Sequence, residues 1–211
     1  MSRAALRATA LLAPLALAAL TGCGGAPAAA PAPAAPQVTP HVTPASAAPA
    51  ETPAETPAAG PMPASEPVRV RIPSAGVDAS PVLGLGLAAD GTVEVPSVAD
   101  ADKIGWYTKG VTPGQTGPAV LIGHLDTARG PAVLKDVSRV RTGEEITVSR
   151  ADGSTAVFRV RELEQVGKKE FPTAKVYGDT ARPELRVITC GGELTDGHRP
   201  DNIILYADLV G

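Results

Sequence analysis

The chain has 211 residues, a formal net charge of −3, 19% charged residues and only 3% aromatics. A slightly acidic chain offers no basic face, so nucleic acid is excluded as a partner class. With 22 prolines and 22 glycines, part of the chain cannot be a packed core, and the length allows one globular unit plus appendages.

Residues 1–22 have the form of an export signal. Arg3 and Arg7 supply a positive start, and the apolar stretch from Ala8 to Leu20 is shorter than a membrane span needs. Leu20-Thr21-Gly22-Cys23 then resembles the lipobox of bacterial lipoproteins. That resemblance implies that Cys23 is lipidated on sulfur and becomes the mature N-terminus. Its acyl chains would hold the protein at the extracytoplasmic face of the cell membrane.

Residues 23–66 read as a disordered tether, rich in Ala and Pro and without a hydrophobic period. Frequent prolines bias such a segment towards polyproline II. At about 3.1 Å per residue it would reach on the order of 100 Å, into the cell wall. His41 lies here and is assigned no role.

Residues 67–211 form the expected globular domain. Val68-Arg69-Val70-Arg71-Ile72 alternates apolar and basic residues, as a half-buried strand does. Pro73-Ser74-Ala75-Gly76 reads as a turn, and Thr92-Val93-Glu94-Val95-Pro96 as a short strand after an Asp90-Gly91 turn. Pro118 to Gly123 is a continuous apolar run, read as a central strand that delivers His124-Leu125-Asp126-Thr127. Ile146-Thr147-Val148 and Ala156 to Val160 flank Asp152-Gly153, a second hairpin signal. Glu162 to Lys175 is ambiguous, with a short helix starting at Phe171-Pro172. Leu185 to Cys190 and Asn202 to Leu209 read as buried strands. Seven or eight short strands with turns between them predict an all-β fold, a closed β-barrel with short helices in its loops.

The chain has two cysteines. With Cys23 lipidated no internal disulfide is left, and Cys190 becomes a free thiol worth explaining. It ends a β-branched run, Val187-Ile188-Thr189, and precedes Gly191-Gly192, which lets backbone amides approach a reacting carbonyl. His124 and Arg199 also stand at the ends of expected strands. A thiolate nucleophile, a histidine that exchanges a proton near neutral pH and an arginine that holds an oxyanion together specify acyl transfer through a thioester. His198 competes with His124 for the proton-transfer role. Asp126 is read as fixing its own loop through an Asx-type hydrogen bond.

At these residues the chain resembles the sortases, cysteine transpeptidases of the Gram-positive surface, and most of all class F sortases of actinobacteria. The matching stretches are Arg71 to Asp78, Gly105-Trp106-Tyr107, Gly117 to Thr127, Leu185 to Gly192 and Asp201 to Ala207. The resemblance implies a sortase-like barrel with Cys190 as nucleophile, His124 as acid–base and Arg199 for the oxyanion or substrate. It also implies that the enzyme cleaves an LPXTG-like sorting signal between Thr and Gly. The protein would then pass to an amine of peptidoglycan or its lipid-linked precursor. No cofactor, metal or calcium site is implied. Arg199-Pro200-Asp201-Asn202 departs from the family pattern, because the arginine takes the place of an aromatic residue. The lipobox is a second departure, since a membrane-spanning segment is the usual anchor. A non-catalytic surface lipoprotein, using the same barrel to bind sorting peptides or wall components, is the alternative. Papain-like and L,D-transpeptidase arrangements do not fit the order and spacing of His124 and Cys190.

Overall fold

The computed structural model describes residues 59–211. The expected export signal, Cys23 and most of the Ala/Pro-rich segment lie outside the described residues. In chain order the strands are β1 (Pro67–Ile72), β2 (Val77–Ala79), β3 (Leu83–Leu85), β4 (Ile104–Tyr107) and β5 (Gly117–Gly123). They continue as β6 (Asp126–Thr127), β7 (Gly130–Pro131), β8 (Glu145–Arg150), β9 (Thr155–Gly167), β10 (Pro183–Gly191) and β11 (Asp201–Leu209). One short helix, α1 (Thr173–Tyr177), lies between β9 and β10.

Nine strands form a single sheet in the order β2-β1-β8-β9-β11-β10-β5-β4-β3, while β6 and β7 pair separately. The all-β fold is therefore as expected, as a sheet curled into a half-barrel. The ladder runs from β2 at one edge to β3 at the other. Most contacts are antiparallel, but β5 and β10 run parallel, with Ile122 beside Ile188.

The pattern of side chains explains the sheet. In β1, Val70 and Ile72 are buried and Arg69 and Arg71 exposed, the alternation of a strand with one covered face. β5 is buried along its whole length. Its odd positions, Ala119 and Leu121, enter the main core with Leu185, Val187, Ile203 and Leu205 of β10 and β11. Its even positions, Val120 and Ile122, join Ile188, Ile204 and Tyr206 on the outer face, under Leu85 of β3 and Val176 of α1. A strand covered on both sides needs a continuous apolar run, and that is what Pro118 to Ile122 supplies.

Two sequence readings change. The stretch after Val160 continues as strand to Gly167, because β9 pairs with β11 from Phe158 onwards through Gly167. Its charged residues are half-buried and partnered: Lys175 donates to Glu162 and Glu164 at 2.6 and 2.8 Å. The expected strand at Thr92 to Pro96 is reduced to one bridge, Leu87 to Val93. Val93 packs against the outer cluster but Val95 stays exposed, so the stretch makes no continuous ladder.

Packing also starts earlier than Pro67. Residues 59–66, assigned by composition to the tether, strap across the domain. Ala59 N donates to the Leu209 carbonyl at 3.3 Å, and Met62 N to that of Gly114 at 2.8 Å. Pro63 O accepts from the buried Arg150 guanidinium, and Ser65 N donates to Thr112 Oγ1 at 3.0 Å.

Leu121 is fully buried in the main core. Leu121→Ala is expected to cost about 2–5 kcal/mol of stability, the usual range for a cavity left by a buried leucine. Urea unfolding of residues 59–211 checks this.

Candidate functional site

β10 carries Glu184, Arg186, Ile188 and Cys190 on one face by simple alternation. Ile188 belongs to the outer cluster, so the Cys190 side chain stands on the outer face of the sheet at the end of its strand. There it is a half-exposed free thiol. The parallel pairing of Ile188 with Ile122 brings the end of β5 alongside, and His124 follows immediately.

His124 is held in place. Its Nε2 donates to the Pro96 carbonyl at 2.6 Å, and its own carbonyl accepts from Leu134 N at 2.9 Å. The bond to a carbonyl fixes the proton on Nε2 and leaves Nδ1 as the nitrogen available for exchange.

Arg199 arrives from the loop before β11. A cavity of about 310 Å³ at the thiol is lined by Cys190 and Arg199, with Asp126, Lys168, Leu194 and His198 among the others. Arg199 Nε donates to both Asp126 oxygens at 3.0 Å, and Nη2 donates to Oδ2 at 2.7 Å. Nη1 donates to the Gly192 carbonyl. The hydrogen bonds from Arg199 hold the Asp126 carboxyl below the usual carboxylate range against the opposing effect of burial, and nearby His124 acts in the same direction. Arg199 is correspondingly raised, by Asp126 first and with a further electrostatic contribution from Cys190.

Gly192 makes this loop possible. Its φ is +80°, and a Cβ there would sit 3.0 Å from the Pro200 ring and 2.9 Å from Asp201 Oδ2. Only glycine tolerates both the left-handed backbone and that approach.

The structure thus brings Cys190, His124 and Arg199 to one end of the sheet. Of the two histidines it is His198 that lines the thiol cavity, while His124 stands at the end of β5 outside that lining. Asp126 is corrected. Its carboxylate crosses to Arg199, and Thr127 Oγ1 makes the local turn bond by accepting from Arg129 N at 3.1 Å. Of the two other arginines considered as donors, Arg186 is 1% exposed and spent on Glu184 at 2.7 Å. Arg129 lines a different cavity, beside Lys135 and Asp102. Sequence reasoning missed Lys168 as a cavity residue, and no local signal marks it. It missed Asp126 as the partner of Arg199, although its place two residues after His124 put it near the site.

The sortase domain model matches residues 70–210. The chain belongs to the sortase family. Its fold is similar to that of a lid mutant of sortase C1 from Streptococcus agalactiae, with a TM-score of 0.53 at 12% identity over 68% of this chain and 67% of that one. It is similar to sortase C-1 from Actinomyces oris, with a TM-score of 0.52 at 20% identity over 69% of this chain and 76% of that one. Sortase A from Corynebacterium diphtheriae gives 0.52 at 17% identity over 70% of this chain, which spans 62% of that protein. No curated protein sequence matches the chain. At these identities the structural neighbours establish the sortase fold, in classes A and C.

The depressed Asp126 carboxyl has a consequence for stability. Its contribution is complete above the unfolded carboxyl range, about pH 4, and is lost as pH falls through its lower folded value. The stability difference between wild type and Asp126→Asn should therefore be larger at neutral pH than in strong acid. Urea unfolding of both proteins across that range measures it.

Proposed function

We propose that this protein is a cysteine transpeptidase that cuts an LPXTG-like sorting signal between Thr and Gly and transfers the protein to a cell-wall amine. The observation that carries the reading is a half-exposed thiol at the end of a buried strand, sharing a cavity with an arginine, in a sortase domain.

In this reading Cys190 Sγ attacks the threonine carbonyl carbon. The new C–S bond gives a tetrahedral oxyanion, which Arg199 and backbone amides steady. Collapse breaks the C–N bond, and His124 delivers a proton to the departing glycine amine. An amine of peptidoglycan, or of its lipid-linked precursor, then attacks the thioester. It gives its proton back to His124 and expels the Cys190 thiolate. The residues already supply nucleophile, proton carrier and oxyanion donor, so the scheme draws on no cofactor.

The class F assignment is part of the same proposal and rests on the stretches around Ile72, His124, Cys190 and Asn202. So is a lipid anchor on Cys23 that holds the enzyme at the extracytoplasmic face of the membrane. One observation favours a second reading, a binding protein without turnover. The Arg199 guanidinium is already engaged by Asp126 and the Gly192 carbonyl.

Mass spectrometry of the soluble domain after incubation with sorting-signal peptides distinguishes the two. A transpeptidase accumulates a covalent adduct on Cys190, and Cys190→Ala gives none. A binding protein retains peptide without the adduct. His124→Ala should lower turnover about 10²-fold or more, the scale of a lost acid–base group. A larger loss in His198→Ala would transfer the role to His198. For the anchor, Cys23→Ser should release the protein from the membrane fraction. Retention after a high-salt wash would remove lipidation from the account.

A further inference from the structure

Arg199 has five N–H donors. The Nε donor and one on Nη2 go to Asp126, and one on Nη1 goes to the Gly192 carbonyl. One N–H on each Nη therefore remains for a substrate oxygen. The carboxylate lies side-on to the guanidinium and takes its whole Nε–Nη2 edge. That arrangement stops rotation of the plane, as a single hydrogen bond would not.

Asp126 is itself fixed. β6 pairs Asp126 with Pro131, and just before it Leu125 O accepts from Ala132 N at 3.0 Å and His124 O from Leu134 N at 2.9 Å. Asp126 and Arg199 are 73 residues apart in sequence, so their contact is made by the tertiary fold alone. The segment that carries His124 thus carries, two residues on, the group that aims Arg199. Among the residues lining the thiol cavity, Asp126 is the only carboxylate, facing Lys168, His198 and Arg199.

We propose that Asp126 is a positioning residue: its carboxylate holds the Arg199 guanidinium in one orientation beside Cys190 and offsets its charge there. This rests on the reading of Cys190 and Arg199 as the reacting groups. It explains how an arginine followed by proline, on an otherwise exposed loop, keeps a defined aim. Proline sets the backbone direction of Arg199, and Asp126 sets the side chain.

The test compares wild type, Asp126→Asn, Asp126→Glu, Arg199→Ala and the Asp126→Asn/Arg199→Ala double variant. Two rates are read on each folded protein, as judged by circular dichroism. One is acylation of Cys190 by a sorting-signal peptide. The other is alkylation of Cys190 by iodoacetamide at pH 7, which needs no substrate recognition. In Asp126→Asn, acylation should fall about 10- to 100-fold as the guanidinium loses its aim. Alkylation should rise about two- to threefold, because an unopposed cation favours the thiolate. Asp126→Glu keeps the charge but lengthens the arm, so it should alkylate like wild type and acylate more slowly. In the Arg199→Ala background the asparagine should leave alkylation unchanged.

The proposal is overturned if both rates fall together in Asp126→Asn, or if the asparagine has the same effect on alkylation with Arg199 absent. A wild-type protein that is never acylated would defeat the transpeptidase reading. The alkylation arm would still decide whether Asp126 acts through Arg199.

Discussion

The parallel pairing of β5 with β10 is the constraint on which the site depends. Parallel neighbours need a long crossover, and here β8, β9 and α1 fill it. Because the two strands run the same way, their C-terminal ends coincide. One end leads into His124 and the other carries Cys190. An antiparallel pair in the same place would set these residues at opposite ends. The pairing is in turn held by burial on both sides, with Leu121 and Val187 facing the main core and Ile122 and Ile188 the outer cluster. Apolar area removed from water on two faces resists any slip of register, since a slip of one residue would exchange the faces.

The division of faces also decides where polar chemistry is possible. The interior of the half-barrel is filled with apolar side chains, mostly aliphatic, with Trp106 and Phe158 among them. The outer face mixes aliphatic residues near the thiol with a charged network further along. There Glu184 accepts from Arg186 and Arg161 at 2.7 Å, and Tyr206 donates to Glu164 at 2.8 Å. Burial pushes Glu184 up, yet the two arginines hold it below its ordinary value. Burial, with that bond to Glu164, raises Tyr206. Such a network is a weak source of net stability, because desolvation opposes the attraction. Its effect is to keep Arg186 occupied, leaving Arg199 as the arginine at the thiol.

Much of this was legible in the sequence where pattern and burial coincide. Val68 to Ile72, Pro118 to Gly123, Leu185 to Cys190 and Asn202 to Leu209 all appear as strands, because alternation or a continuous apolar run records how many faces are covered. Cys190, His124 and Arg199 stand out as polar groups at the ends of such runs. The short strands β2, β3, β6 and β7 were not legible. Two or three residues cannot display a period, even where the partner strand is close in sequence, as Val77 is to Ile72 and Gly130 to Thr127. β9 beyond Val160 escaped for another reason, since ion pairs with Lys175 stand where apolar residues would signal a strand. The Asp126–Arg199 contact escaped because a hydrogen bond across 73 residues leaves no local trace.

The strap at residues 59–66 gives the domain a polarity. Ala59 is tied to Leu209, the last residue of β11, whereas Cys190 lies beside Asn202 near the first. Along a strand those ends are separated by roughly 25 Å. The chain therefore enters the domain at one pole, and the thiol opens at the other. Tension applied through the N-terminal segment would be borne by the strap and the far end of β11. The pole that carries the thiol lies away from that load.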